Sequence, residues 1–347
     1  MKTTSLGSRV LYLSIRVLFF VICLSSVLLA LYLFRTDYRL LDTAFRSYFP
    51  NLHEHPDTAR LSITPLRLFL LVITCGLIAF VSGLAFIHFP QQAQTWRAKI
   101  RSWAESQKSA VRSLLKEIEA MPTWQKYAAG GILLSSLAIN LYRSSWSSYD
   151  GDEVYSCVYF VHNGWLTTLC HYPDTNNHVF FNLLCIPLDA LFSKPAWVLR
   201  LVPILAHLAL LSAIFLFVKR YFGFCPAFVA MSMGAFWLPT SFYGSIGRGH
   251  ELMSLFALIG IFHMYAYTLR FQSRNLVTFV GVSVLAFYTV PTYIHCFMSV
   301  CAFGLYEGIR QGHWRCVGRI IKAGLFTVLG TVMLYWPIIL FSGIDPC

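Results

Sequence analysis

Apolar runs about as long as a bilayer is thick recur along almost the whole chain. A hydrocarbon core of about 30 Å takes about 20 apolar residues in a helix. Runs of that order fall at 11 to 34, 66 to 88, 127 to 145, 197 to 218, 224 to 243, 249 to 269, 275 to 292, 293 to 309 and 324 to 341. The pattern predicts an all-α polytopic membrane protein with about nine transmembrane helices. A mean hydropathy of +0.61, with only 12% of the residues charged, leaves no need for a soluble core. One further apolar stretch, 176 to 193, contains "NNHVFFNLLCIPLDALF". Its Asn, His, Asp and Pro suit a helix lying at the interface or re-entering, which sets the parity of every later span.

A net charge of +12 would suggest nucleic acid in a soluble protein, but here the placement of Lys and Arg matters more than their sum. If the spans alternate as drawn, Lys2, Arg9, the series from Arg97 to Lys126, Lys219 and Arg220, Arg270 and Arg274, and Arg310 to Lys322 share one side. The positive-inside rule makes that side cytoplasmic. Residues 35 to 64, 146 to 196, "SFYGSIGRGH" and the region of Tyr293 then face the other way, and Tyr288, Tyr293 and Trp237 read as aromatic-belt anchors. The ten cysteines show no metal-ligand spacing and read as small packing residues, although Cys157 and Cys170 could pair on the outer side.

Residues 91 to 122 break the apolar pattern. Trp96, Ile100, Trp103, Val111, Leu115 and Ile118 recur at helical spacing among basic residues, which predicts an amphipathic surface helix ended by Pro122. The expected organisation is an N-terminal helix pair (1–90), a basic cytoplasmic linker (91–126) and a transmembrane core (127–347).

"SYDGDEVY" places Asp150, Asp152 and Glu153 within four positions on the outer side. One of them, Asp152, suits the N-cap of an interfacial helix running to about Asn163, with Gly164 at its C-terminal cap. A cap needs one carboxylate and this turn has three. His171, Asn176, Asn177 and His178 follow in the same loop, and Arg248 and Glu251 of "GSIGRGHELM" belong to the same face. Such groups are costly beside hydrocarbon unless they are used. Sugar donors outside the cytoplasm are commonly carried on isoprenoid lipid phosphates, reachable only at the membrane surface. Transfer from them needs a carboxylate to deprotonate the acceptor and cationic groups to hold the departing phosphate.

At these residues the chain resembles the GT-C superfamily of polytopic glycosyltransferases, the group of protein O-mannosyltransferases and lipid A aminoarabinose transferases. "DGDEVYSCVYFVHNG" is similar to the first outer loop of that family with its Asp-Glu pair. "HYPDTNNHVFFNLL" stands in place of a His-Pro-Pro-like segment, with Asn176 and Asn177 where prolines are usual. "AWVLRLVPILAHLALLSAIFLFVKRYFG", "SIGRGHELMSLFALI" and "AFYTVPTYIHCFMSV" resemble later spans and outer turns. The resemblance covers about 127 to 347. It implies Asp152 as general base, Glu153 beside it, and Arg248 holding the donor phosphate, with His171, Asn177, His178 and Glu251 as further substrate contacts. Asp150 and Asp152 are spaced like a site for a divalent cation, which some relatives require. The implied partners are a polyprenyl-phosphate-linked sugar, a protein, lipid or glycan acceptor, and membrane lipids, with no nucleic acid. The implied location is a bacterial plasma membrane, in preference to the endoplasmic reticulum, with the site on the non-cytoplasmic face. Family members generally continue past the point where "FSGIDPC" ends this chain, so a fragment is expected. Two other readings stay open: a transporter or flippase of lipid-linked sugars, and a non-catalytic scaffold in which the acids only cap a helix.

Overall fold

The computed structural model describes residues 6–47, 63–172, 176–192 and 195–342. Expectations at Lys2, at 48 to 62 and at 343 to 347 fall outside these, as do those on the side chains of Arg9, Trp96, Arg97, Lys99 and Ile100. Every described element is helical: α1 (Leu6–Arg35), α2 (Tyr38–Ser47), α3 (Pro65–Glu119), α4 (Thr123–Trp146), α5 (Gly151–Tyr155), a π-helical turn (Ser156–Val161), α6 (Gly164–Cys170), α7 (Val179–Asp189), α8 (Pro195–Phe222), α9 (Phe224–Phe236), α10 (Leu238–Tyr243), α11 (His250–Arg270), α12 (Ser273–Thr289), a 3₁₀ turn (Pro291–Tyr293), α13 (Ile294–Arg310) and α14 (Trp314–Phe341).

Among the described residues, five segments, within α1, α3, α8, α11 and α14, are long and apolar enough to cross a membrane, so the chain is a multi-pass helical membrane protein. The other predicted spans are helices too, but shorter or more polar. The run 224 to 243 is broken at Trp237, where α9 stops after 13 residues and Pro239 enters the first turn of α10. At eleven residues, α7 is about 16 Å long, half of what a crossing needs, in keeping with an interfacial or re-entrant segment. The amphipathic segment is not a separate helix. It continues the preceding span as one 55-residue helix, α3, and Pro122 caps the start of α4.

The chain divides into two compact units, the first reaching Ser113 with a few residues after Leu340, the second running from Leu114 to Ile339. The division falls inside α3, between the boundaries expected near 90 and 126. In the first unit α1 packs on α3, with the Arg16 guanidinium 4.7 Å from the Phe86 ring centre. The second unit is built around α8, which packs on α4, α7, α9 and α11, while α11 packs on α12 and α13. Its core has two main clusters. Leu211, Phe215, Ala227 and Met231 join α8 to α9, and Met264, Phe279, Phe297 and Ile320 join α11 to α14. Small residues let these helices approach: a Cβ at Gly304 would stand 2.7 Å from the Met264 sulfur. Tyr288 and Tyr293 belong to this interior, at 4% and 1% exposure, so of the three expected belt residues only Trp237 is exposed.

Candidate functional site

The acidic turn divides its carboxylates among different tasks. Asp150 is the N-cap of α5, the place expected for Asp152, and its backbone N–H donates to Glu153 Oε2 at 3.0 Å, one half of a capping box. The helix then loosens into the π-helical turn and ends before Gly164, whose φ of +79° is the left-handed value a C-terminal cap requires. Val154, Val158, Trp165 and Leu166 of this loop remain exposed, while Cys157, Phe160 and Val161 are buried. Cys157 and Cys170 are free thiols, so the pairing left open by the sequence is not made and both act as packing residues. Burial lifts both thiols to about 11, which leaves no thiolate near neutral pH.

Glu153 is wholly buried. Its carboxylate accepts from Arg200 Nε at 2.8 Å and Arg200 Nη2 at 2.6 Å, and also from the Gly247 N–H. Burial alone pushes this carboxyl up, but the bonds from Arg200, Gly247 and Asp150 outweigh it and hold the group below its usual range, ionised. Arg200 spends its remaining donors on the carbonyls of Ser144 (2.7 Å), Ser147 (3.1 Å) and Ser148 (3.0 Å), closing the C-terminal end of α4. Glu153 is therefore a tie between α5, α8 and the turn before α11. It has no face left for a substrate.

That tie positions the next contact. The turn "GSIGRGH" places Arg248 between two glycines, and each gives its N–H to a buried side chain, Gly247 to Glu153 and Gly249 to His178 Nδ1 at 3.0 Å. Neither position tolerates a Cβ: at Gly247 it would lie 2.6 Å from Leu199 Cβ, and at Gly249 2.8 Å from His178 Nδ1. Held at both ends, Arg248 reaches Asp152 Oδ2 at 2.7 Å, while Asn176 donates to Asp152 Oδ1 at 2.8 Å and accepts from Arg248 Nη2 at 3.1 Å. The Asp152 side chain is 42% exposed and that of Arg248 23%. His178, pushed down to about 3 by burial, His250 and Arg248, stays neutral and can serve as the acceptor. Its ring lies 4.9 Å from that of His250, which stacks on Tyr243.

Asp152 and Arg248 thus meet, bridged by Asn176, while His178 holds the turn that carries Arg248 and lies against His250. The other candidates are engaged elsewhere. Asn177 donates to the carbonyls of Thr168 and His171 and accepts from Asn182, pinning α6 to α7. His171 is buried beside Phe160. Glu251, 2% exposed, points into the bundle against His207, whose Nε2 lies 3.0 Å from Ser136. Of the pair spaced for a cation, Asp150 caps α5, and both Asp152 oxygens have partners, Arg248 on Oδ2 and Asn176 on Oδ1. Among the described residues no three His, Cys, Asp or Glu side chains gather as metal ligands would.

Arg200, the two glycines and His250 have no place among the residues predicted from sequence. Arg200 carried a usable signal, since a single arginine inside "AWVLRLVPIL" is costly in lipid without a buried acid to meet it. Comparison with family models, with curated proteins and with solved structures returned no match.

Proposed function

We propose that this chain is a membrane glycosyltransferase that moves a sugar from a polyprenyl-phosphate donor to an acceptor hydroxyl at the non-cytoplasmic face of a membrane, with a bacterial plasma membrane the favoured host. Nine helices cross in this reading: α1, the first part of α3, α4, α8, α9 with α10, α11, α12, α13 and α14, while α5 to α7 lie at the outer interface. The single observation that carries it is the meeting of Asp152 with Arg248, a carboxylate and a guanidinium from distant segments, at a partly exposed surface beside buried groups that hold both in place. The donor phosphate draws Arg248 toward itself, and Asp152, released from its ion pair, takes the proton of the acceptor hydroxyl. The acceptor oxygen bonds to the anomeric carbon as the carbon–phosphate oxygen bond breaks. The electron pair leaves on the lipid phosphate, stabilised by Arg248. A divalent cation would have to displace Arg248, so no step is assigned to one.

The test is turnover of polyprenyl-phosphate-mannose and polyprenyl-phosphate-aminoarabinose by the full chain in proteoliposomes, read as release of polyprenyl phosphate. Asp152→Asn should lower release by about 10²- to 10⁴-fold while the protein still inserts. Equal turnover by Asp152→Asn and the parent would remove Asp152 from the mechanism. Labelling of a thiol placed at Gly151, in a chain freed of its own cysteines, only from the cytoplasmic side would remove the reading altogether.

A second reading, transport of a lipid-linked sugar, has one observation in its favour. Glu251, His207 and Ser136 form a buried chain of polar groups inside the bundle, where proton-coupled carriers keep ionisable residues. In that case the donor crosses the membrane with its sugar–phosphate bond intact, and Glu251→Gln stops it where Asp152→Asn does not.

A further inference from the structure

The far end of α8 carries a two-part recess that sugar transfer does not use. Arg200 and Arg220 both lie on α8, separated by about 30 Å at 1.5 Å per residue, the thickness of a hydrocarbon core. Arg220 therefore lies about one hydrocarbon thickness along α8 from Arg200. One part of the recess is an apolar cavity of about 220 Å³ between Leu114 of α3, Leu216 and Phe217 of α8, and Leu258 and Phe262 of α11. The other is a polar cavity of about 420 Å³ bordered by Glu117, Gln125, Lys219 and Arg220. Leu216 and Arg220 line both, so the two volumes adjoin. Arg220 stands 3.8 Å from Glu117, both about a third exposed, a distance and setting in which an ion pair contributes little. A closer anion would be preferred by the guanidinium.

A greasy slot opening onto two cations at an interface has the chemistry of an amphiphile with an anionic head. A zwitterionic head would bring its own ammonium toward Lys219 and Arg220, and a tail-less phosphate would leave the apolar cavity empty. We propose that this recess binds one membrane phospholipid with an anionic headgroup, its phosphate at Lys219 and Arg220 and an acyl chain between α3, α8 and α11.

The experiment is native mass spectrometry of the delipidated full chain titrated with phosphatidylglycerol or with phosphatidylcholine of the same acyl chains. Phosphatidylglycerol should bind more tightly by roughly five-fold per basic side chain, on the order of 25-fold in all. Lys219→Gln with Arg220→Gln should abolish that preference, and Arg220→Lys should keep most of it. Leu216→Trp, which blocks the tail without changing charge, should weaken phosphatidylglycerol binding several-fold, and glycerol phosphate should not compete. Unfolding midpoints of the variants separate loss of the site from loss of the fold. Equal affinity for the two lipids, or a preference that survives the double substitution, would overturn the proposal. Unchanged affinity in a folded Leu216→Trp would reduce it to surface attraction, and competition by glycerol phosphate would make the site one for free phosphate. Both results count against it.

Discussion

Two adjacent carboxylates, Glu153 and Asp152, each pair with an arginine, and the pairs have opposite characters. The Glu153–Arg200 pair is closed, at 0% and 1% exposure, with each oxygen of the carboxylate engaged twice. The Asp152–Arg248 pair is open at the surface, with one partner per carboxylate oxygen. Alternation along the first turn of α5 sends neighbouring side chains to different faces, so the inner acid meets the bundle and the outer one keeps part of its surface open. A closed pair holds a shape. An open one can change partners, and only that kind can do chemistry on something arriving from outside.

The comparison breaks most visibly if the closed pair is cut. Glu153→Gln leaves the Arg200 charge buried without its counter-ion, a change that typically costs about 3–5 kcal/mol. Unfolding in detergent should show a loss of that order, and a loss below about 1 kcal/mol would mean the pair is not the tie between α5, α8 and the Arg248 turn. Gly247→Ala, which drives a methyl into Leu199 Cβ, should cost about 1–3 kcal/mol and weaken the Asp152–Arg248 contact along with the fold.

Acid should act on the same ties. His178 has its pKa depressed from 6.5 to about 3, so below 6.5 the unfolded chain takes up a proton that the folded chain refuses. Stability is full above 6.5 and falls as pH drops toward 3. Glu153, depressed below 4.5, adds a further loss at the acid end of that window. Melting midpoints measured between pH 7.5 and 4 should decline, and His178→Gln should flatten the part of the decline between 6.5 and 4.5. A midpoint that rises on acidification would contradict the neutral His178. The smallest effect on stability belongs to the open pair: Asp152→Asn should change unfolding by no more than about 1 kcal/mol. The proposed sugar transfer should collapse in that variant, and the gap between the two readouts is the sharpest form of the comparison.

Several parts of this arrangement were legible beforehand. Apolar length predicts helices that cross, and the polar residues in 176 to 193 set apart α7, whose eleven residues are too few for a full crossing. The local chemistry of "DGDE" predicts a capped helix ending near Gly164, although the cap is Asp150 and not Asp152. The meeting of Asp152 with Arg248 joins two loops that the expected alternation of spans puts on one face. The break of the 224 to 243 run at Trp237 and the fusion of the basic linker to its preceding span were less visible, because hydropathy measures how long a run is and not where the helix axis stops.

Composition and periodicity by themselves determine that this chain is a set of membrane helices with an acid-rich loop between two of them, because the cost of unpaired backbone in lipid leaves a long apolar run few alternatives. Only the tertiary structure decided which acid is scaffold and which is available. Two carboxylates one residue apart look alike in a sequence. Their roles separate when α8 brings Arg200 to one and a glycine-flanked turn brings Arg248 to the other, since what a charge can do is set by how many partners it has and how much water it keeps.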